Sequence, residues 1–203
     1  MNRAGYPASR KTISQPYIVA FMAEALNLKG GETVLEIGAG SGYAAAVLSR
    51  IAAHVYTVER IAQLAEKAAA VLADLHYGNV MVRHGDGTQG WPEYAPYDAI
   101  IVAAGGPSVP EALKRQLKIG GRLVIPVGKD QRIQELVRVT RLSEKNYKTE
   151  DIADVRFVPL IGKEGWLPKE GEVEPRRIPR KPEDNLAALY RGFHGRGPQS
   201  QGR

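Results

Sequence analysis

The 203-residue chain contains no cysteine, which excludes disulfides, thiolate metal sites and cysteine nucleophiles together. It has no apolar run of membrane-spanning length, and Met1 to Lys11 lacks the apolar core of a signal peptide. A cytoplasmic protein is therefore expected, and its length suits one domain with a single buried core. Charge excess is missing from the body as well. The net charge is +6, yet Met1 to Lys11 carries Arg3, Arg10 and Lys11 with no acid, and Lys163 to Arg203 carries nine basic against six acidic residues. The remainder, Thr12 to Gly162, is neutral. A nucleic-acid face on the body is not indicated, and the basic ends read as solvating arms. No internal repeat is found.

What is present is organised around Thr33 to Tyr43, T-V-L-E-I-G-A-G-S-G-Y. Thr33, Val34, Leu35 and Ile37 have the pattern of a buried strand. Glycines follow at alternate positions, Gly38, Gly40 and Gly42, and then an alanine-rich run with the composition of a helix. A strand, a Gly-rich turn and a helix opening bring backbone N–H groups up to a ligand. The dinucleotide fingerprint requires glycine at the sixth position, which here is Tyr43. Glu36, two residues before the first glycine, repels a pyrophosphate and suits a cation such as a sulfonium or an ammonium. E-x-G-x-G-x-G resembles the first motif of the S-adenosylmethionine-dependent methyltransferases.

The rest of the chain alternates strand and helix. Ser14 reads as a helix N-cap with Pro16 just inside the first turn, and Tyr17 to Leu28 has helical spacing. The first glycine motif is followed by a helix over about 42–52, then a strand over His54 to Glu59 ending in an acid. An acid there, about twenty residues beyond the Gly turn, suits ribose hydroxyls. Ile61 to Leu75 is an amphipathic helix, and Asn79 to Arg83 a third strand closing on Gly85-Asp86-Gly87. Asp86 lies where ligands bind in such sheets and is read as a contact to an adenine amine. Further strands are expected over Tyr97 to Ala104, Arg122 to Val127, Glu135 to Arg141 and Asp154 to Ile161, with a helix over Pro110 to Leu117. The alternation implies a mostly parallel sheet covered on both faces.

From Thr12 to Trp166 the chain resembles the protein-L-isoaspartate O-methyltransferases. The residues that carry the likeness are T-I-S-Q-P-Y-I-V-A (12–20), V-L-E-I-G-A-G-S-G-Y (34–43), V-E-R (58–60) and G-D-G-T-Q-G (85–90). They continue as A-P-Y-D-A-I (95–100) and the run Gln116 to Gly128 ending I-P-V-G. The resemblance implies a doubly wound, mostly parallel seven-stranded α/β sheet of the Rossmann-like methyltransferase type, with a last hairpin bringing in an antiparallel strand. It implies S-adenosylmethionine as cofactor and no metal. Glu36, Gly38, Gly40 and Gly42 would line the cofactor, Glu59 with Arg60 would serve the ribose, and Asp86 with Gly87 the adenine. Ile13, Ser14, Pro126 and Val127 would bind substrate, Ser14 holding the isoaspartyl carboxylate. The implied partners are isoaspartyl proteins and peptides, with neither membrane nor nucleic acid, and a monomer is favoured.

That carboxylate, with a pKa of about 3.5, is ionised at neutral pH without a general base. The leaving group is a neutral thioether, so no catalytic triad is expected; positioning supplies the rate. The expected organisation is one methyltransferase domain over 1–166, including a basic arm 1–11, then a Pro/Gly/Arg-rich flexible tail over 167–203. The chain departs from the family in the short arm, where members usually carry a helical segment, and in the tail. The competing readings are a methyltransferase for another substrate and a catalytically weak cofactor-binding protein tethered through its basic ends.

Overall fold

The computed structural model describes residues 15–130 and 133–168. Ile13, Ser14, the basic arm and nearly all of the tail lie outside these residues. Seven strands form one sheet: β1 (Thr33–Ile37), β2 (His54–Glu59), β3 (Val80–His84), β4 (Tyr97–Val102), β5 (Leu117–Val127), β6 (Gln134–Arg141) and β7 (Tyr147–Val155). The order across the sheet is β3-β2-β1-β4-β5-β6-β7. β1 to β5 pair in parallel, while β6 runs antiparallel to both β5 and β7. The expected seven-stranded architecture with its reversed strand is thus the observed one.

Alternation along each strand divides the core in two. Leu35, Ile37, Ile100, Val102, Leu123 and Ile125 face one side. Val34, Val55, Ala99, Ile101, Val124 and Leu136 face the other, against helices α1 (Pro16–Leu26), α2 (Tyr43–Ser49) and α3 (Ala62–Asp74). A short helix, α4 (Glu111–Arg115), covers the first side through Leu113. Central parallel strands are buried on both faces, which is why their sequences read as unbroken apolar runs.

Several boundaries differ from the sequence reading, four of them with consequences for the fold. The helix at the start is capped by Gln15, not Ser14: the Gln15 carbonyl accepts from Ile18 N and Val19 N, and Pro16 occupies the first helical turn. Its end is Asn27, left-handed with φ 53°, before Lys29-Gly30-Gly31 is reached. β5 begins at Leu117, five residues early, and runs through Gly120 and Gly121 instead of starting after them. Gly121 permits this because a Cβ there would stand only 3.0 Å from the Asp98 carbonyl. The last strand is Tyr147–Val155 and not Asp154 to Ile161. It is an edge strand whose Lys148, Thr149, Glu150 and Asp151 lack apolar alternation, a composition that discourages pairing with another chain. Residues 156–161 instead cross the sheet's C-terminal end as an extended strap, touching it through an isolated bridge between Gly105 and Pro159.

Chain order turns back between β1 and β4: β1 leads outward to β2 and β3, and β4 returns to its other side. Ligands bind beyond the strand ends at such a point. No helix among the described residues is long and apolar enough to cross a membrane.

Candidate active site at the sheet's switch point

Beyond β1 and β4 lies a cavity of about 330 Å³. Its walls come from the glycine loop, the end of β2, the start of α3, Ala103 and Ala104 after β4, and the strap residues Val158 to Ile161. The loop is shaped by backbone that side chains rarely adopt. Gly38, Gly40 and Gly42 have φ of 97°, 53° and 84°, which glycine reaches without a Cβ penalty. Gly38 and Gly40 line the cavity. Gly42 does not: it caps α2, and a Cβ on it would press to 3.2 Å from Leu72 of α3. Its role is to let α2 and α3 approach.

Glu59 ends β2 and joins two walls. One carboxylate oxygen accepts from Gly40 N at 3.0 Å and the other from Ile61 N at 2.9 Å. The acid therefore fixes the glycine loop and the entry to α3 together. With two donors on a group of about four acceptor sites, capacity for ligand hydroxyls remains. Arg60 follows it on the cavity wall, its carbonyl 3.0 Å from His84 Nε2.

Glu36 has the opposite surroundings. It shares a sheet face with Val34, between its register partners Thr57 on β2 and Ile101 on β4. It is 1% exposed, and among the described residues neither carboxylate oxygen has a hydrogen-bond partner; the Thr57 hydroxyl is likewise unpartnered there. Burial pushes its pKa up to about 7, a nearby Thr57 hydroxyl pulling the other way and the Glu59 charge adding to the rise. A carboxylate kept in this condition is unusual, since buried polar groups are nearly always bonded.

Asp86 stands after β3 and is committed to the protein. Oδ1 accepts from Thr88 N at 2.9 Å and Thr88 Oγ1 at 2.8 Å, and Oδ2 accepts from Lys163 N at 2.9 Å. Gly87, beside it, lines the cavity, and a Cβ there would overlap Ile37. Pro126 and Val127 lie at the end of β5. Pro126 is buried, its carbonyl accepts from Gly106 N at 3.0 Å, and Val127 bridges Gly106. Neither lines the cavity; both border the loop that does.

Sequence reasoning missed the β4 end and the strap. Ala103 and Ala104, small residues leaving a strand beside the switch point, were the available signal for the first. Val158 to Ile161 gave none, because V-P-L-I reads as an ordinary strand. Val19 of α1 also reaches the cavity, which brings the beginning of that helix to its edge.

The family model described as protein-L-isoaspartate(D-aspartate) O-methyltransferase matches residues 4–165. A protein-L-isoaspartate O-methyltransferase of Rhodopseudomonas palustris strain CGA009 is 69% identical over 163 residues, covering 80% of this chain and 75% of that protein. A relative of the same name from strain HaA2 is 69% identical, covering 77% of this chain and 64% of its own length. Among solved structures, a protein-L-isoaspartate O-methyltransferase aligns with TM-score 0.74 and 35% identity over 80% of this chain and 52% of that one. One from Plasmodium falciparum, in complex with S-adenosyl-L-homocysteine, aligns with TM-score 0.62 and 25% identity over 77% and 79%. The chain thus spans between about half and four fifths of these proteins.

Proposed function

From the premise that the chain belongs to the protein-L-isoaspartate O-methyltransferase family of S-adenosylmethionine-dependent enzymes, we propose that it methylates the free α-carboxylate of L-isoaspartyl residues in damaged proteins. The observation that carries the reading is the cavity at the switch point, with the Glu59 carboxylate on its glycine-loop wall. Its residues fit S-adenosylmethionine. Gly38 and Gly40 open the backbone to a close ligand, and Gly87 packs against the wall residue Ile37, where a Cβ would overlap it. Glu59 keeps acceptor capacity for ribose hydroxyls, and Glu36, which does not line the cavity but precedes the wall residue Ile37, is assigned to the cationic end of the ligand, whose charge would favour its ionised form. Asp86, with three donors already, has room for about one more at the adenine amine.

When bound, the sulfonium supplies the methyl group and leaves as a neutral thioether. The accepting carboxylate oxygen forms the new O–C bond, the S–C electron pair stays on sulfur, and no proton moves. The protein's work is therefore to hold and to exclude. Ser14 is assigned to the substrate carboxylate, with Ile13 beside it, ahead of a helix whose opening N–H groups favour an anion. Val158 to Ile161 wall the cavity against water, which strengthens electrostatic contacts inside it. Pro126 and Val127 are assigned to the substrate approach along the β5 end.

The reading is tested by the product. An isoaspartyl peptide with S-adenosylmethionine should yield a base-labile methyl ester and one equivalent of S-adenosylhomocysteine. Ser14→Ala should reduce transfer more than cofactor affinity; equal losses would remove Ser14 from the substrate. Cofactor binding without ester formation would point to a different acceptor.

A further inference from the structure

Residues 158–166 cross the cavity without being part of any strand, so what holds them in place decides whether the cavity keeps its shape. The first half is fixed at Gly105: its N–H donates to the Val158 carbonyl, and its carbonyl accepts from Leu160 N, both at 2.8 Å. Trp166 Nε1 donates to the same Gly105 carbonyl at 2.9 Å, and Trp166 N to the Leu160 carbonyl at 2.8 Å. The turn between them is fastened differently. Lys163 N donates to Asp86 Oδ2, and Glu164 N donates to Thr88 Oγ1 at 3.2 Å. Thr88 is fully buried and its hydroxyl donates onward to Asp86. The Glu164 side chain then reaches α4, where Oε2 accepts from Glu111 N at 2.6 Å and Ala112 N at 3.3 Å.

These bonds close a ring. The strap is tied to the Asp86–Thr88 turn by main-chain donors and to α4 by one carboxylate, and the Gly105–Gly106 loop that leads to α4 holds the strap's other half. No space is left in the turn: a Cβ on Gly162 would overlap Asp86, and one on Gly165 would overlap the Leu160 carbonyl. In this ring Glu164 ties the strap to two other parts of the fold, through its backbone to the Asp86–Thr88 turn and through its side chain to α4.

We propose that Glu164 is a positioning residue that latches the strap over the cavity and so sets cofactor affinity without touching the ligand. This rests on the reading of the cavity as the S-adenosylmethionine site. The Glu111 amide it caps lies in an exposed contact, so water can replace the carboxylate there at little cost to the fold. The loss falls on the position of Ile161 and its neighbours, which wall the cavity.

The test uses the full chain and S-adenosylhomocysteine as probe. Glu164→Ala should weaken its binding roughly five- to tenfold, the effect of one capping interaction, while the far-ultraviolet spectrum is kept. Glu164→Gln, whose amide oxygen still accepts, should recover most of that affinity. Hydrogen exchange of the ligand-free protein should show faster exchange at residues 160–166 in Glu164→Ala and near-normal exchange in Glu164→Gln. Unchanged affinity and unchanged exchange in the alanine variant would overturn the latch, as would a glutamine variant no better than alanine. If the unaltered protein bound no S-adenosylhomocysteine, the reading of the cavity would fail, and the exchange measurement would still judge the latch.

Discussion

The two sides of the cavity are built by different means. On the glycine-loop side, the fixing contacts are short in sequence: Glu59 holds Gly40 across 19 residues and Ile61 across two. On the strap side, the contacts join residues 77, 76, 61 and 53 apart; two rest on backbone donors from the strap, one on the Trp166 indole and one on the Glu164 carboxylate. A local motif with its own strand and helix can be recognised from residue types. A strap held at long range, half of it through main-chain amides that any sequence offers, leaves little mark on residue types.

The same contrast governs the two buried glutamates. Glu59 holds the loop through both carboxylate oxygens, whereas Glu36 is buried with no hydrogen-bond partner among the described residues. The largest effect we expect follows from this difference. Glu36 has a folded pKa near 7 against 4.5 for the free side chain, so between those values the native state binds more protons than the unfolded one. Stability should therefore fall as pH rises from about 4.5 to 7 and stay level above, by on the order of 3 kcal/mol in total. Glu36→Gln should flatten that slope in denaturant titrations and raise stability at pH 8, while weakening cofactor binding. A slope that survived the substitution would mean that another group titrates.

Next in size is Glu59→Ala. It strands the Gly40 and Ile61 amides and removes the acceptor proposed for the ribose hydroxyls, for an expected loss of about 2 kcal/mol, or roughly thirtyfold, in S-adenosylhomocysteine affinity by calorimetry. A loss confined to stability would make Glu59 a loop brace alone. The smallest effect belongs to the strap: Trp166→Phe removes one hydrogen bond to Gly105, about 1 kcal/mol of local stability. It should speed exchange at the strap amides, with little change in the global unfolding midpoint. A large fall in that midpoint would show that the strap belongs to the core and is not an attachment to it.

Most of the sheet could be read before the structure because the central parallel strands, buried on both faces, announce themselves as apolar runs. His54 to Glu59 was bounded to the residue for that reason. The misreadings came where burial is partial. Tyr147 to Val155 is polar because it is an edge, and Asp154 to Ile161 looked like a strand because a strap that walls a cavity must itself be apolar. Gly38, Gly40 and Glu59, singled out by spacing, line the cavity. Gly42 was grouped with them because sequence cannot distinguish a glycine of the motif that faces a cavity from one that packs against a neighbouring helix. The bonds of Asp86 to Thr88 and Lys163 could not be foreseen either, since the second depends on where the strap lies.

The most direct test of the account is the initial rate of methyl transfer from labelled S-adenosylmethionine to two peptides identical except for one residue, isoaspartate in one and aspartate in the other. Transfer to the isoaspartyl peptide alone is the predicted result. Equal transfer to both, or to neither while the cofactor still binds, would contradict it.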